Sequence, residues 1–270
     1  MNKNKTILWI LAVVITLAAA VFQRKTGPNH PKYFSFQSDG QKYKIKLERS
    51  HGGDKDLIMK FSITDTSLKA KVHFRKYPSN EDFVAKDMVR EGNFLVLTLP
   101  HQPPAGKLAY YLEFISKSGA IFIAEDKPAI VRFRGDVPAG IMIPHILIMF
   151  VAMLFANVAG LFSIKRVKGY RFYTIWAFIL LFIGGGILGP LVQKFAFGEY
   201  WTGIPFGWDL TDNKTLIAII AWLVAVWANW KKERPQYVIF ASIITLLIYL
   251  IPHSMFGSEL NHSSGKIIQA

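Results

Sequence analysis

The chain contains no cysteine. That absence excludes disulfides, thiolate metal sites and covalently attached c-type haem. Acidic residues are also scarce: 18 Asp and Glu stand against 32 Lys and Arg, for a net charge of +14. The long apolar runs lack ionisable residues at their centres. This argues against a transport pathway, because intramembrane charges usually mark such routes. No nucleophile triad, phosphate-binding loop or zinc-hydrolase pattern is present. One apparent dinucleotide fingerprint, Gly184-Gly185-Gly186-Ile187-Leu188-Gly189, lies inside an apolar run and is followed by Pro190. The fingerprint requires a strand before it and a soluble helix after it. Close helix packing or a helix break is the better expectation here.

What the chain does have is apolar residues gathered in blocks, within a composition that is 51% hydrophobic. Four blocks, Ile141–Ile164, Phe172–Val192, Thr215–Trp230 and Tyr237–Ile251, reach or approach the roughly 20 residues that cross a bilayer. They predict a four-helix transmembrane bundle over residues 140–256. A fifth block, Ile7–Phe22, follows Lys3 and Lys5 and ends in Ala18-Ala19-Ala20. Residues 1–22 therefore read either as a cleavable signal peptide or as a signal-anchor helix. Under both readings the region after residue 22 is exported. Lys165, Arg166, Lys168 and Arg171 lie between the first two bundle spans, and Lys231, Lys232 and Arg234 between the last two. Basic loops stay inside. Residues 23–140, the loop 193–214 and the C-terminal tail 257–270 are then outside. The expected location is a bacterial inner (cytoplasmic) membrane. Part of the positive charge belongs to inside loops, so no nucleic-acid partner is inferred. The lipid bilayer is the first partner, and a protein partner at the outer face is the second.

Residues 32–136 alternate with period two. Lys42-Tyr43-Lys44-Ile45-Lys46-Leu47 and Lys69-Ala70-Lys71-Val72-His73-Phe74-Arg75 each place apolar side chains on one face. Further strands fit Leu57–Ile63, Phe94–Leu99, Leu108–Phe114, Ala120–Ala124 and Ile130–Arg134, separated by Gly- and Pro-rich turns. Seven short strands predict an exported all-β sandwich. The run from Phe74-Arg75-Lys76-Tyr77 through Pro100 to Ala109-Tyr110-Tyr111-Leu112-Glu113 resembles fibronectin-type-III-like modules over residues 42–134. That resemblance implies partner binding or spacing. His51, His73 and His101 fall at turns or on wet faces and read as surface residues.

Candidate chemistry concentrates at the outer ends of the spans. Ile143-Pro144-His145 and Ile251-Pro252-His253 each mark one such end. Two imidazoles at one depth could hold a b-type haem or exchange protons with a quinol. With Met142 and Met255 they could instead hold Cu(I). A third reading gives them no function beyond an interfacial position. The loop Gly198–Lys214 adds Glu199, Asp209 and Asp212, and Glu259 comes after the last span. Carboxylate and imidazole groups together would form a proton-handling site. Thr211 or Asp212 is expected to N-cap the next span, leaving Asp209 as the functional carboxylate. Trp201 and Trp208 read as interface anchors.

Pro144-His145-Ile146-Leu147-Ile148-Met149-Phe150, with Gly257-Ser258-Glu259-Leu260-Asn261-His262, resembles a family of small four-helix bacterial membrane proteins with b-haem binding ascribed to them. The likeness covers residues 141–265. The family has a His-Pro pair and a second His; here the order is Pro-His, with Met149 or Phe150 near the second position. It implies His145 and His253 as haem ligands. Three functions are expected: a respiratory or redox-associated membrane protein with haem b or quinol; a non-catalytic accessory subunit docking an exported partner; and a copper-handling protein.

Overall fold

The computed structural model describes residues 3–252, 259–260, 262, 265 and 267–268. The chain forms two compact units. One is built from residues 29–136 and the stretch from 259 to 268, the other from the N-terminal helix and the region after residue 136.

The first unit is β-sandwich-like. Its strands are β1 (Lys32–Ser38), β2 (Gln41–Leu47), β3 (Ser50–Gly52), β4 (Leu57–Ser62), β5 (Lys69–Tyr77), β6 (Val84–Asp87), β7 (Val89–Glu91), β8 (Phe94–Leu99), β9 (Lys107–Ser116), β10 (Gly119–Ile123) and β11 (Ala129–Arg134). One sheet runs β3-β11-β9-β5-β6, with β10 also on β9; another runs β4-β8-β7, and β1 pairs with β2. Alternation sets the inside face. Leu57, Met59 and Phe61 of β4 are buried while Ile58, Lys60 and Ser62 are exposed. Leu108, Tyr110, Leu112 and Phe114 of β9 join the same core. Tyr110 is fully buried, and its hydroxyl donates to the Glu48 carbonyl at 2.7 Å. Burial raises its pKa, so it stays neutral. Arg90 ties three carbonyls of the β4–β5 connection, those of Ile63, Asp65 and Leu68.

The stretch from 259 to 268 is not a separate tail. Strands β12 (Glu259–Leu260) and β13 (Ile267–Ile268) pair antiparallel. The Leu260 amide donates to the Ala105 carbonyl at 3.3 Å, and Glu259 forms an ion pair with Lys107. Leu260 is buried against this unit. The residues expected as an external C-terminal tail thus contribute to the sandwich, because Leu260 supplies apolar surface and Glu259 answers a half-buried lysine.

The second unit is helical: α1 (Lys3–Thr26), α2 (Ala139–Ile164), α3 (Tyr170–Leu181), a π-helical segment (Phe182–Leu188), α4 (Gly189–Phe197), α5 (Leu210–Ala228) and α6 (Pro235–Leu250). Among the described residues, four helices are long and apolar enough to cross a membrane: α1, α2, the continuous Tyr170–Phe197 and α5. Helix α6 is apolar but has 16 residues. The expected four-helix bundle is therefore joined by α1. Leu8, Ala12, Thr16 and Ala19 recur at helical spacing and are buried. Trp9 packs edge-on against Phe155 and Tyr173. Asn157 donates from Nδ2 to Thr16 Oγ1 at 2.9 Å, so the buried amide of α2 finds its partner on α1. Small residues bring α2 and α6 together: Ser242 Oγ donates to the Ala156 carbonyl at 3.0 Å, and a Cβ at Gly160 would lie 2.7 Å from Ser242 Cβ.

The Gly184–Gly189 run does not break its helix. It forms the π-helical segment and continues into α4 across Pro190. Cβ atoms added at Gly184 and Gly185 would meet Met149 Sδ at 2.8 Å and Thr215 Cγ2 at 2.7 Å. Close packing against α2 and α5 is why glycine stands at 184 and 185.

Candidate functional site

The polar residues of the α4–α5 loop and of the nearby helix ends form a hydrogen-bonded cluster. Asp209 is the N-cap of α5. Its Oδ1 accepts from the amides of Thr211 at 2.8 Å and Asp212 at 3.3 Å. This corrects the expectation that Thr211 or Asp212 caps the helix. Residue 209 has the non-helical backbone conformation of a cap, whereas Asp212 already lies within the first turn.

Asp212 clamps the loop instead. It is 6% exposed, and its Oδ2 accepts from the Thr202 amide at 2.6 Å, the Gly203 amide at 3.1 Å and Thr202 Oγ1 at 3.2 Å. Gln193 Nε2 donates to Thr202 Oγ1 at 2.7 Å, carrying the network to α4. Asn213 Oδ1 accepts from the Ile204 amide at 2.7 Å. The loop is thus folded back onto the first turn of α5. Trp201 Nε1 donates to the Ile204 carbonyl at 3.1 Å, which keeps the loop closed on itself. Trp208 is 78% exposed, and Glu199 is exposed.

Lys214 is buried in the first turn of α5. Its Nζ donates to the Ile251 carbonyl at 2.9 Å and approaches the Pro252 carbonyl at 3.5 Å. These carbonyls close the end of α6, where cations are favoured. Asp209 lies within electrostatic range of this ammonium. A lysine directly before the apolar block Thr215–Trp230 was the visible signal for this role.

His145 lies in the second turn of α2. Its Nδ1 donates to the Gly184 carbonyl at 3.0 Å, an oxygen that also accepts the Gly189 amide within the π-helical segment. A carbonyl can only accept, so the proton sits on Nδ1 and Nε2 carries the lone pair of the neutral ring. Such a bond fixes tautomer and ring orientation, as it does for metal-bound histidines. Met142 lies one turn before His145 on α2. His253 and Met255 lie outside the described residues. Among the described residues no group of three His, Asp or Glu side chains gathers as a metal site. Glu259 lies in the sandwich unit, where it pairs with Lys107.

The sandwich carries a second polar–aromatic group that the sequence pattern assigned to a plain wet face. His73 on β5 and Tyr111 on β9 are register partners, stacked with ring centres 4.5 Å apart and planes 3° apart. His73 Nε2 pairs with Glu113 Oε2 at 2.7 Å. Phe83 stands edge-on to Tyr111 at 5.1 Å, and the Arg75 guanidinium sits 4.6 Å from the Phe83 ring centre. Phe122 flanks Tyr111 at 6.4 Å and is 44% exposed.

Compared with known protein families and with curated proteins, the chain matches none.

Proposed function

We propose that the protein is a membrane-anchored accessory protein with no catalytic centre of its own, whose sandwich docks an exported protein partner. The carrying observation is the aromatic face around Tyr111. There Phe83 and Phe122 flank a stacked His73–Tyr111 pair, with Arg75 and Glu113 as charges at the margin. Clustered aromatic side chains with bordering charge are what protein interfaces enrich. The loop cluster of the bundle supports the same reading. Asp209, Asp212 and Lys214 each hold backbone groups in place. The basic α2–α3 and α5–α6 loops support an orientation in which the sandwich is exported from the cytoplasm of a bacterium. The test is a photo-crosslinking residue placed at Phe122 in the full chain in its host, with the same residue at Ile58, on β4 of the other sheet, as the control. A discrete adduct at 122 that disappears with Tyr111→Ala, and is not formed from 58, is the expected result. Equal labelling from both positions, or none, overturns the reading.

A second reading, haem b or quinol binding, is favoured by one observation: the ring of His145 is pinned through Nδ1, which leaves Nε2 as the acceptor. Its test is a reduced-minus-oxidised visible spectrum of the protein from haem-replete cells. Sharp α and Soret bands lost in His145→Ala support it; a flat spectrum removes haem.

A further inference from the structure

The opposite end of α5 has structure that neither reading uses. A cavity of about 370 Å³ is lined by Trp227, Ala228, Trp230, Lys231, Lys232 and Arg234. A second, of about 250 Å³, is lined by Arg171, Thr174, Ile175, Val226, Asn229 and Trp230, so Trp230 walls both. The first falls within the ~300–1,000 Å³ range of small-molecule sites. The two sets of walls differ in chemistry. Ile175 and Val226 give the second cavity an aliphatic wall beside Arg171, whereas Lys231, Lys232 and Arg234 make the first cavity cationic.

The loop that presents these cations is held in shape. Asn229 Oδ1 accepts from the Arg234 amide at 2.8 Å and from the Tyr170 hydroxyl at 2.8 Å, while its Nδ2 donates to the Arg234 carbonyl at 3.0 Å. Residues 229 and 234 are thereby closed into one turn, and the turn is fixed to α3. Among the described residues, Lys231, Lys232 and Arg234 form no ion pair, although Glu233 is their neighbour. Arg171 Nε is buried with no hydrogen-bond partner among the described residues. Trp227 and Trp230 are 77% and 73% exposed. Amphipathic indoles at a helix end belong at the headgroup level of a bilayer. A site that joins several cations, two indoles and an aliphatic groove suits an amphiphile with an anionic head. Basic pockets between spans recognise lipid headgroups in this way.

We propose that this end of the bundle binds an anionic phospholipid, its phosphate held by Lys231, Lys232 and Arg234 and an acyl chain lying along Ile175 and Val226. The proposal rests on the helices being membrane spans and is independent of any partner of the sandwich. The test uses the full chain in mild detergent, titrated with phosphatidylglycerol, phosphatidylcholine or free glycerol phosphate and read by native mass spectrometry and thermal shift. Saturable binding of phosphatidylglycerol, with phosphatidylcholine much weaker and glycerol phosphate not reproducing it, is expected. Lys231→Gln should weaken it about fivefold, the usual worth of one basic residue near an anionic lipid surface. Trp230→Leu, which keeps every charge, should weaken it as well. Lys168→Gln, in the other basic loop, should leave it unchanged. Equal binding of both lipids overturns the proposal. So does equal loss in Lys168→Gln, which would show diffuse charge attraction, or full binding of glycerol phosphate, which would show a phosphate site with no lipid character.

Discussion

Replacing Asp212 discriminates a structural carboxylate from a chemical one. In the native loop one oxygen, Oδ2, accepts from two backbone amides and a hydroxyl while being almost wholly buried. Hydrogen bonds to a charged acceptor contribute about 1.5–3 kcal/mol each, and they are not additive when one oxygen serves all three. Asp212→Ala removes the acceptor but lets the freed amides reach water once the loop opens. The expected local destabilisation is about 3 kcal/mol, or about a hundredfold in the opening equilibrium. Asp212→Asn keeps a carbonyl acceptor and should cost about 1 kcal/mol, roughly fivefold. Hydrogen exchange followed by mass spectrometry in detergent reads this directly at the amides of Thr202 and Gly203. Asp209→Ala is the internal control. It should accelerate the amides of Thr211 and Asp212, at about 1 kcal/mol for a lost cap, and leave Thr202 and Gly203 protected. If Asp212→Ala leaves Thr202 and Gly203 exchanging at the native rate, the clamp is not what holds the loop, and a chemical role for Asp212 returns to contention.

Three other perturbations test other parts of the structure. A double-mutant cycle with Thr16→Val and Asn157→Leu should give a coupling of about 0.6–1.7 kcal/mol in denaturant titrations of the micellar protein; zero coupling would mean that α1 does not dock on α2 through this pair. Gly185→Ala drives a methyl group against Thr215 and should lower the melting temperature, and Gly185→Ala with Thr215→Ser should recover part of the loss because the clashing Cγ2 is gone. In the sandwich, burial lowers the Lys107 pKa against the opposing effect of Glu259. The unfolded chain therefore binds more protons than the folded one between the lowered value and the ordinary lysine value near ~10.4, and stability should rise with pH across that window. Glu259→Gln should deepen the depression, lower the melting temperature at neutral pH and widen the window over which raising the pH restores it; a melting temperature that falls with pH in that range contradicts the argument.

The strands and the apolar helices were legible because both arise from local pattern. Alternation in Lys42–Leu47 and Lys69–Arg75 specifies a face without knowing the partner strand, and β2 and β5 lie there. The two shortest strands of the alternating region, β3 and β7, carry too few residues for a pattern, and only pairing with β11 and β8 defines them. The site was less legible. An Asp three residues from another Asp says nothing about which side chain caps and which reaches back across ten residues to Thr202. That choice depends on where the chain enters α5.

By itself the sequence determined the division into an alternating β region and apolar helices, the basic character of two inter-helix loops, and the exclusion of thiol chemistry. Each of these is a property of residue type and spacing. Tertiary structure alone decided that α1 joins the bundle, that the Gly184 run becomes a π-helical segment seated on Met149 and Thr215, and that Glu259 meets Lys107. It alone decided which nitrogen of His145 is committed to a carbonyl. The partners in these contacts are far apart in the chain, 39 positions for His145 and Gly184 and 152 for Lys107 and Glu259, and nothing local to either residue encodes the other.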